Sequence, residues 1–125
     1  MCIRDREGLV RYVEAIATAS GLPVIAYHRA NAAFTVAGVR RLLEVPGLIG
    51  IKDGVGDIAL MQAFVLTARA AGRDDVLFFN GLLTAEMSQA AYTAIGVPRY
   101  SSAVFAMAPE IATAFRTALV AGAPR

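Results

Sequence analysis

At 125 residues and 57% hydrophobic content, the chain is long enough for one domain with a sizeable core and too short for two. Its apolar runs fall far short of the ~18 residues that a membrane-spanning helix needs, and a net charge of +2 without a basic cluster argues against nucleic acid as a partner. The one cysteine, Cys2, excludes an internal disulfide and a thiolate metal cluster, which favours a reducing, cytoplasmic location.

The first six residues differ in origin from the rest of the sequence. Residues 1–6, Met-Cys-Ile-Arg-Asp-Arg, resemble the translation of a sequencing-library adapter. Segments of this kind are excluded from fold reasoning. We therefore interpret residues 1–6 as non-native, expect the chain to be truncated at its N-terminus, and assign residues 7–125 to a partial domain.

From residue 7 onward, helical and strand-like patterns alternate without a linker. The apolar spacing predicts helices over residues 7–19, 35–46, 57–71, 84–95 and 109–120. In the first helix it places five residues on one buried face: Leu9, Tyr12, Val13, Ile16 and Ala17. Continuous apolar runs predict strands over residues 24–27, 48–52 and 76–79, and a fourth within 97–105. Because these runs do not alternate with polar residues, we expect both faces of the sheet to be covered.

The alternation indicates an α/β fold with about four parallel strands joined by helices. Four such units are half of a (β/α)₈ TIM barrel, and a complete doubly wound sheet is the alternative. Polar residues favour the barrel, because they follow all four strands at the carboxyl end, where barrels build their sites: Tyr27, Lys52, Asn80 and the pair Ser101 and Ser102. The sequence has no Gly-x-Gly-x-x-Gly and no Gly-Lys-Ser/Thr loop, which argues against nucleotide binding.

Lys52 is the single lysine of the chain and lies at the end of a strand-like run, Leu-Ile-Gly-Ile-Lys. Lysine is normally a solvated surface residue, because burying its ammonium group is costly. An amine sheltered from water is more easily held as the free base, which attacks carbonyl carbons. Taken alone, the position also fits chance in an arginine-rich composition.

Three segments resemble one family when they are read in order: residues 24–31 (Val-Ile-Ala-Tyr-His-Arg-Ala-Asn), 50–57 (Gly-Ile-Lys-Asp-Gly-Val-Gly-Asp) and 100–105 (Tyr-Ser-Ser-Ala-Val-Phe). They are similar to the 5-dehydro-4-deoxyglucarate dehydratase branch of the dihydrodipicolinate synthase and N-acetylneuraminate lyase superfamily. The resemblance covers essentially the whole chain after residue 6. It implies the C-terminal half of a TIM barrel.

The resemblance also implies roles for individual residues. Lys52 becomes the Schiff-base lysine and Tyr27 the tyrosine that relays protons. Arg29 aligns with an arginine of the branch and either binds a substrate carboxylate or is a solvated loop residue. Gly81 falls where the superfamily offers backbone contacts to the keto-acid end of the substrate.

Other polar residues receive less specific expectations. Ser101 and Ser102 are candidates to bind sugar-acid hydroxyls, and one of the two faces the substrate if both lie on a strand. The sequence departs from the branch at His28, Asn80 and Ala106, where Asn, Gly and Asn are usual. We expect His28 to pack and Asn80 to stabilise the turn before Gly81. We expect Asp53 to accept loop amides and Asp57 to cap a helix.

The implied activity is that of a class I lyase, which dehydrates and decarboxylates 5-dehydro-4-deoxyglucarate to 2,5-dioxopentanoate without a metal or other cofactor. The family implies a small keto sugar acid as substrate and a homo-oligomer in the full-length parent. A carboxylate-gripping threonine loop belongs to the early strands of the family, so we expect the isolated half to be inactive. Another keto-acid aldolase of the superfamily and a non-catalytic, decayed half-barrel stay open as alternatives.

Overall fold

The computed structural model describes residues 6–122, with side chains from residue 7 onward. Its helices are α1 Arg6–Ser20, α2 Val36–Leu42, α3 Ile58–Ala70, α4 Ala85–Ala94 and α5 Pro109–Ala121, and a 3₁₀ turn spans Val104–Ala106. Its strands are β1 Val24–His28, β2 Leu48–Asp53, β3 Leu77–Asn80 and β4 Arg99–Tyr100. Of the segment interpreted as non-native, residues 1–5 lie outside the described residues, and α1 begins at Arg6.

The four strands form one sheet in the order β1-β2-β3-β4, and every neighbouring pair is parallel. Each connection between neighbouring strands contains a helix, and crossovers of one hand place all of these helices on the same face of the sheet. A doubly wound sheet would reverse its strand order and carry helices on both faces. The observed order is therefore that of half a TIM barrel, and it confirms the predicted fold class.

One face of the sheet packs against the helices. The side chains that point to it along the first three strands are buried: Ala26, His28, Ile51, Asp53, Phe78 and Asn80. Beneath them the core is filled by large apolar groups from the helices, among them Leu42, Phe64 and Tyr92, which are fully buried.

The other face of the sheet is open, and here the expectation that both faces are covered is wrong. Ile25 is 43% exposed and Tyr27 40%. About eight strands are needed before a barrel of this kind closes and its interior side chains pack against one another. Four strands make only an arc, so the concave face remains accessible.

Helix α1 shows a similar difference from expectation. Val13 and Ala17 are buried as predicted, but Tyr12 is 66% exposed and Ile16 41% exposed. The helix packs mainly against α2 and β1. Tyr12 and Ile16 therefore lie on a flank that nothing in the described chain covers.

Helix starts follow the predicted caps more closely than helix ends. The Thr35 side chain accepts the Gly38 N–H at 3.2 Å, and the Asp57 side chain accepts the Leu60 N–H at 2.9 Å. Thr84 precedes α4 without making a side-chain cap bond. Helix α2 ends at Leu42 rather than at Pro46, because the chain tightens into turns there: the Glu44 N–H donates to the Arg41 carbonyl oxygen at 3.1 Å.

The fourth strand is much shorter than the predicted one. It comprises only Arg99 and Tyr100, so Ser101 and Ser102 lie in the loop that follows. The Ser101 N–H donates to the Asn80 carbonyl oxygen at 3.0 Å, and the Ser102 hydroxyl then accepts the Phe105 N–H at 3.0 Å. Serine side chains compete in this way with sheet hydrogen bonds, and here they start the 3₁₀ turn. The argument that the two serines point to opposite faces of a strand is therefore wrong.

Candidate active site

Tyr27 and Lys52 are direct neighbours in the sheet. Their Cα atoms are partners in the parallel ladder between β1 and β2, near the carboxyl end of both strands. Both side chains emerge on the open, concave face, and the Lys52 Nζ atom lies 5.0 Å from the centroid of the Tyr27 ring. Adjacent strands are ~4.8 Å apart, which brings the two residues side by side. The sheet itself thus pairs an amine with a phenol, as the sequence led us to expect.

Two glycines form the walls around this pair. A Cβ atom on Gly54 would lie 2.6 Å from Cε2, 2.7 Å from the hydroxyl oxygen and 2.9 Å from Cζ of Tyr27. A Cβ atom on Gly81 would lie 2.6 Å from both the Asp53 carbonyl oxygen and Lys52 Cγ. Each of these distances is far below van der Waals contact. The positions of the phenol and of the lysine stem therefore both depend on the missing side chains at residues 54 and 81.

The carboxylate of Asp53 lies behind this site and is 1% exposed. It accepts the Val55 N–H at 2.8 Å and the Gly56 N–H at 3.3 Å, which agrees with the expectation that it binds loop amides. The Tyr92 hydroxyl donates to the same carboxylate. Burial raises the pKa of Tyr92, and the hydrogen bond and negative charge of Asp53 raise it further, so this phenol stays a donor.

His28 points away from the site, into the helix layer. It is 2% exposed, stacks against Phe34 and meets Phe64 edge-on at a centroid distance of 5.2 Å. Its Nδ1 atom accepts the Phe34 N–H at 3.0 Å, which requires an unprotonated Nδ1. Burial lowers the pKa of His28, although the charges of Asp53 and Asp57 oppose that effect. The residue is a packed structural group, as expected.

Asn80 is also buried on the helix side, where it ties β3 to α4. Its amide nitrogen donates to the Ala85 carbonyl oxygen at 3.1 Å and lies 3.2 Å from Gln89 Oε1. Its side-chain oxygen accepts the Leu82 N–H at 3.2 Å, directly after Gly81. This agrees with the expected turn-stabilising role.

The remaining candidates fall into two groups. Arg29 and Gly81 join the pair: the Arg29 guanidinium carbon lies 5.4 Å from the Tyr27 ring centroid, and the Tyr27 hydroxyl donates to the Gly81 carbonyl oxygen at 3.5 Å. The Gly81 N–H donates to the Asp53 carbonyl oxygen at 2.6 Å. No side-chain bond joins Ser101 or Ser102 to Tyr27 or Lys52 within residues 6–122.

Sequence reasoning missed the contribution of α4. Gln89 and Tyr92 lie on its buried face together with Ala85. Gln89 donates to the Val97 carbonyl oxygen at 3.0 Å, which links the helix to the approach of β4. Two polar residues spaced by three on an otherwise apolar helix stripe are the signal that would have indicated a buried polar contact.

Two kinds of feature are absent from the described part of the chain. Within residues 6–122 there is no group of three or more His, Cys, Asp or Glu side chains arranged to hold a metal ion. Over the same range, no helix combines the length and apolar character needed to cross a membrane.

A family model for the dihydrodipicolinate synthetase family matches residues 4–124 of the chain. The chain belongs to this family. It is 54% identical over 94% of its length to the probable 5-dehydro-4-deoxyglucarate dehydratase 2 of Streptomyces coelicolor. It is 50% identical over 98% of its length to the probable 5-dehydro-4-deoxyglucarate dehydratase 1 of the same organism. A probable 5-dehydro-4-deoxyglucarate dehydratase of Acidovorax ebreus is 44% identical over 92% of the chain. The chain spans 35% to 39% of the length of these relatives.

Proposed function

We propose that the chain is the catalytic-lysine half of a class I lyase that dehydrates and decarboxylates 5-dehydro-4-deoxyglucarate to 2,5-dioxopentanoate. Relatives that carry this dehydratase name align with nearly all of the chain, which supports the choice of substrate. The full-length parent is a homo-oligomer in the cytoplasm, and the isolated chain is inactive. The second half of the site comes from the strands that close the barrel.

In the proposed reaction, the Lys52 amine adds to the keto carbon of the substrate and water leaves, which gives a protonated imine. The imine withdraws electrons and so acidifies the neighbouring carbon. Removal of that proton gives an enamine, which expels the β-hydroxyl as water. Loss of the distal carboxylate as CO₂ and hydrolysis of the imine, which releases the product and restores the Lys52 amine, complete the conversion. The Tyr27 phenol carries protons during imine formation and elimination.

The observation that carries the proposal is the pairing of Lys52 and Tyr27, with the amine nitrogen 5.0 Å from the phenol ring centroid. The amine thus lies beside the aromatic ring that carries the phenol hydroxyl, on the same open face of the sheet. Arg29 extends over the same ring from the following loop, at 5.4 Å, and carries the positive charge that a diacid needs. Ser101 or Ser102 would bind hydroxyls only if the loop after β4 turns toward the concave face.

Borohydride trapping tests the covalent step. In the full-length protein, reduction in the presence of the keto acid should link the acid to the peptide that contains Lys52, with a mass gain equal to that of the acid less one oxygen atom. The variant Lys52→Arg keeps the positive charge but should lose both the trapped adduct and turnover. Tyr27→Phe should still trap slowly, with turnover reduced ~10²- to 10⁴-fold.

Tyr12→Phe is the matched control, because Tyr12 is an exposed tyrosine on α1 and its variant should keep wild-type turnover. Turnover that survives in Lys52→Arg would refute the Schiff-base mechanism. Product analysis separates the proposed reaction from that of a sister aldolase: the dehydratase releases CO₂ and water, whereas an aldolase cleaves a carbon–carbon bond into two carbonyl products. A full-length protein that traps no keto acid would instead be a non-catalytic barrel.

A further inference from the structure

Asp53 is attached to both walls of the Tyr27 and Lys52 site. Its side chain holds the loop after β2 through the Val55 N–H at 2.8 Å and the Gly56 N–H at 3.3 Å. That loop places Gly54 against the Tyr27 ring. Its backbone carbonyl accepts the Gly81 N–H at 2.6 Å, and Gly81 packs against the stem of Lys52. One residue therefore fixes the two surfaces between which the amine and the phenol are held.

The carboxylate of Asp53 is in turn oriented by one side chain of the helix layer. Tyr92 is fully buried in α4, and its hydroxyl donates to the carboxylate oxygen that also receives the Gly56 N–H. A buried carboxylate is costly unless donors surround it, so the loss of one donor loosens the whole arrangement. Helix α4 is itself fixed by Asn80, which donates to the Ala85 carbonyl oxygen at 3.1 Å. The helix is thus a firm anchor for the Tyr92 hydroxyl.

We propose that Tyr92 is a positioning residue for this site: through Asp53 it sets the place of the Tyr27 phenol relative to the Lys52 amine. The inference rests on the proposed function for its kinetic consequence, but the geometric claim is independent of it. A phenol in the helix layer, which touches neither the amine nor the concave face, controls the alignment of the pair.

The kinetic experiment uses Tyr92→Phe and Asp53→Asn, singly and together, in the full-length protein. Each single variant should lower kcat ~10- to 100-fold, because displacement of a catalytic group by about 1 Å has an effect of that size. KM should change little, since neither side chain lies on the concave face. The double variant should be no slower than the slower single variant, because both changes break the same link. Tyr12→Phe, which removes an exposed hydroxyl from α1, should match the wild type.

A second measurement follows the position of the Lys52 side chain relative to the Tyr27 ring and does not depend on turnover. Lysine labelled with ¹³C at Cε gives a cross-peak for Lys52, identified by its loss in Lys52→Arg. Because the amine lies over the Tyr27 ring, the ring current shifts this peak, and Tyr27→Ala should remove that shift. Tyr92→Phe should move the peak part of the way toward its Tyr27→Ala position, whereas Tyr12→Phe should not move it.

The two measurements separate the two proposals. A wild-type protein that traps no keto acid would refute the proposed function, while the Lys52 peak would still decide the role of Tyr92. A peak that stays in place in a folded Tyr92→Phe protein, or kcat effects that simply multiply in the double variant, would overturn the positioning role. If Tyr92→Phe does not fold, the Lys52 peak is measured in Asp53→Asn instead. That variant keeps an acceptor for the Val55 N–H in its side-chain oxygen.

Discussion

Replacement of Gly54 by alanine should impair the chemistry much more than the stability. The added Cβ would lie 2.6 Å from Cε2 and 2.7 Å from the hydroxyl oxygen of Tyr27, where carbon atoms in contact need about 3.5–4.0 Å. The ring must therefore move by about 1 Å. A displacement of that size costs ~10²-fold in rate, which is ~2.7 kcal/mol of transition-state stabilisation.

The stability effect of the same change should be small. Tyr27 is 40% exposed and faces the open side of the sheet, so the ring can move outward instead of straining the core. Overpacking costs about 1–3 kcal/mol in a closed core, and Gly→Ala returns ~0.4–1 kcal/mol by restricting the unfolded chain. We expect Gly54→Ala to lower the free energy of unfolding by no more than about 1 kcal/mol.

Turnover of the keto acid and urea unfolding should be measured on the same full-length preparations. Gly38→Ala is the matched control: Gly38 lies in α2, and a Cβ there would make an ordinary 3.4 Å contact with Thr35 Oγ1. It should keep wild-type turnover and be slightly more stable, because alanine favours the helix. A folded Gly54→Ala protein with wild-type turnover would refute the claim that the loop fixes the phenol.

Two further predictions concern the buried polar groups of the helix side. Burial lowers the pKa of His28 below the ~6.5 of the unfolded chain, so the unfolded state binds more protons in acid. The contribution of His28 to the free energy of unfolding should therefore be fully present above pH ~6.5 and be lost as the pH drops below it. Urea titrations at several pH values should show that the free energy of unfolding depends less on pH in His28→Asn, whose side-chain oxygen can accept the Phe34 N–H. An unchanged pH dependence would show that it does not come from His28. Asn80→Ala leaves the Leu82 N–H without its acceptor and removes one donor each from the Ala85 carbonyl oxygen and from Gln89 Oε1. It should lower the free energy of unfolding by ~2–4 kcal/mol, whereas exposed Asn31→Ala should change it by less than ~0.5 kcal/mol.

Local patterns in the sequence were sufficient for much of the fold. Thr35 and Asp57 each cap a helix through the side-chain bond that their position predicts. The polar residues at the carboxyl ends of β1 and β2 correctly indicated a shared edge, because parallel strands carry their ends to the same side. The Tyr27 and Lys52 pair is therefore visible in the sequence once the two strands are recognised.

What the sequence did not reveal depends on contacts between distant elements. Tyr12 and Ile16 have the spacing of a buried helix face, but burial requires a neighbour on that flank, and periodicity does not report one. Ser101 and Ser102 extended an apolar run that resembles a strand, and only the bond between Ser102 and the Phe105 N–H shows that the chain turns there. The link between Tyr92 and Asp53 joins residues 39 positions apart. No local pattern encodes such a pairing.

The ladder partnership of Tyr27 and Lys52 has a consequence for how proteins of this type diversify. Backbone hydrogen bonds of the sheet keep the Cα atoms of Tyr27 and Lys52 side by side, so loops that touch neither side chain can change without separating the two residues. The sequences of such distant loops can then diverge while the pair itself stays in place. Selection on the pair and selection on those distant loops are in this sense uncoupled.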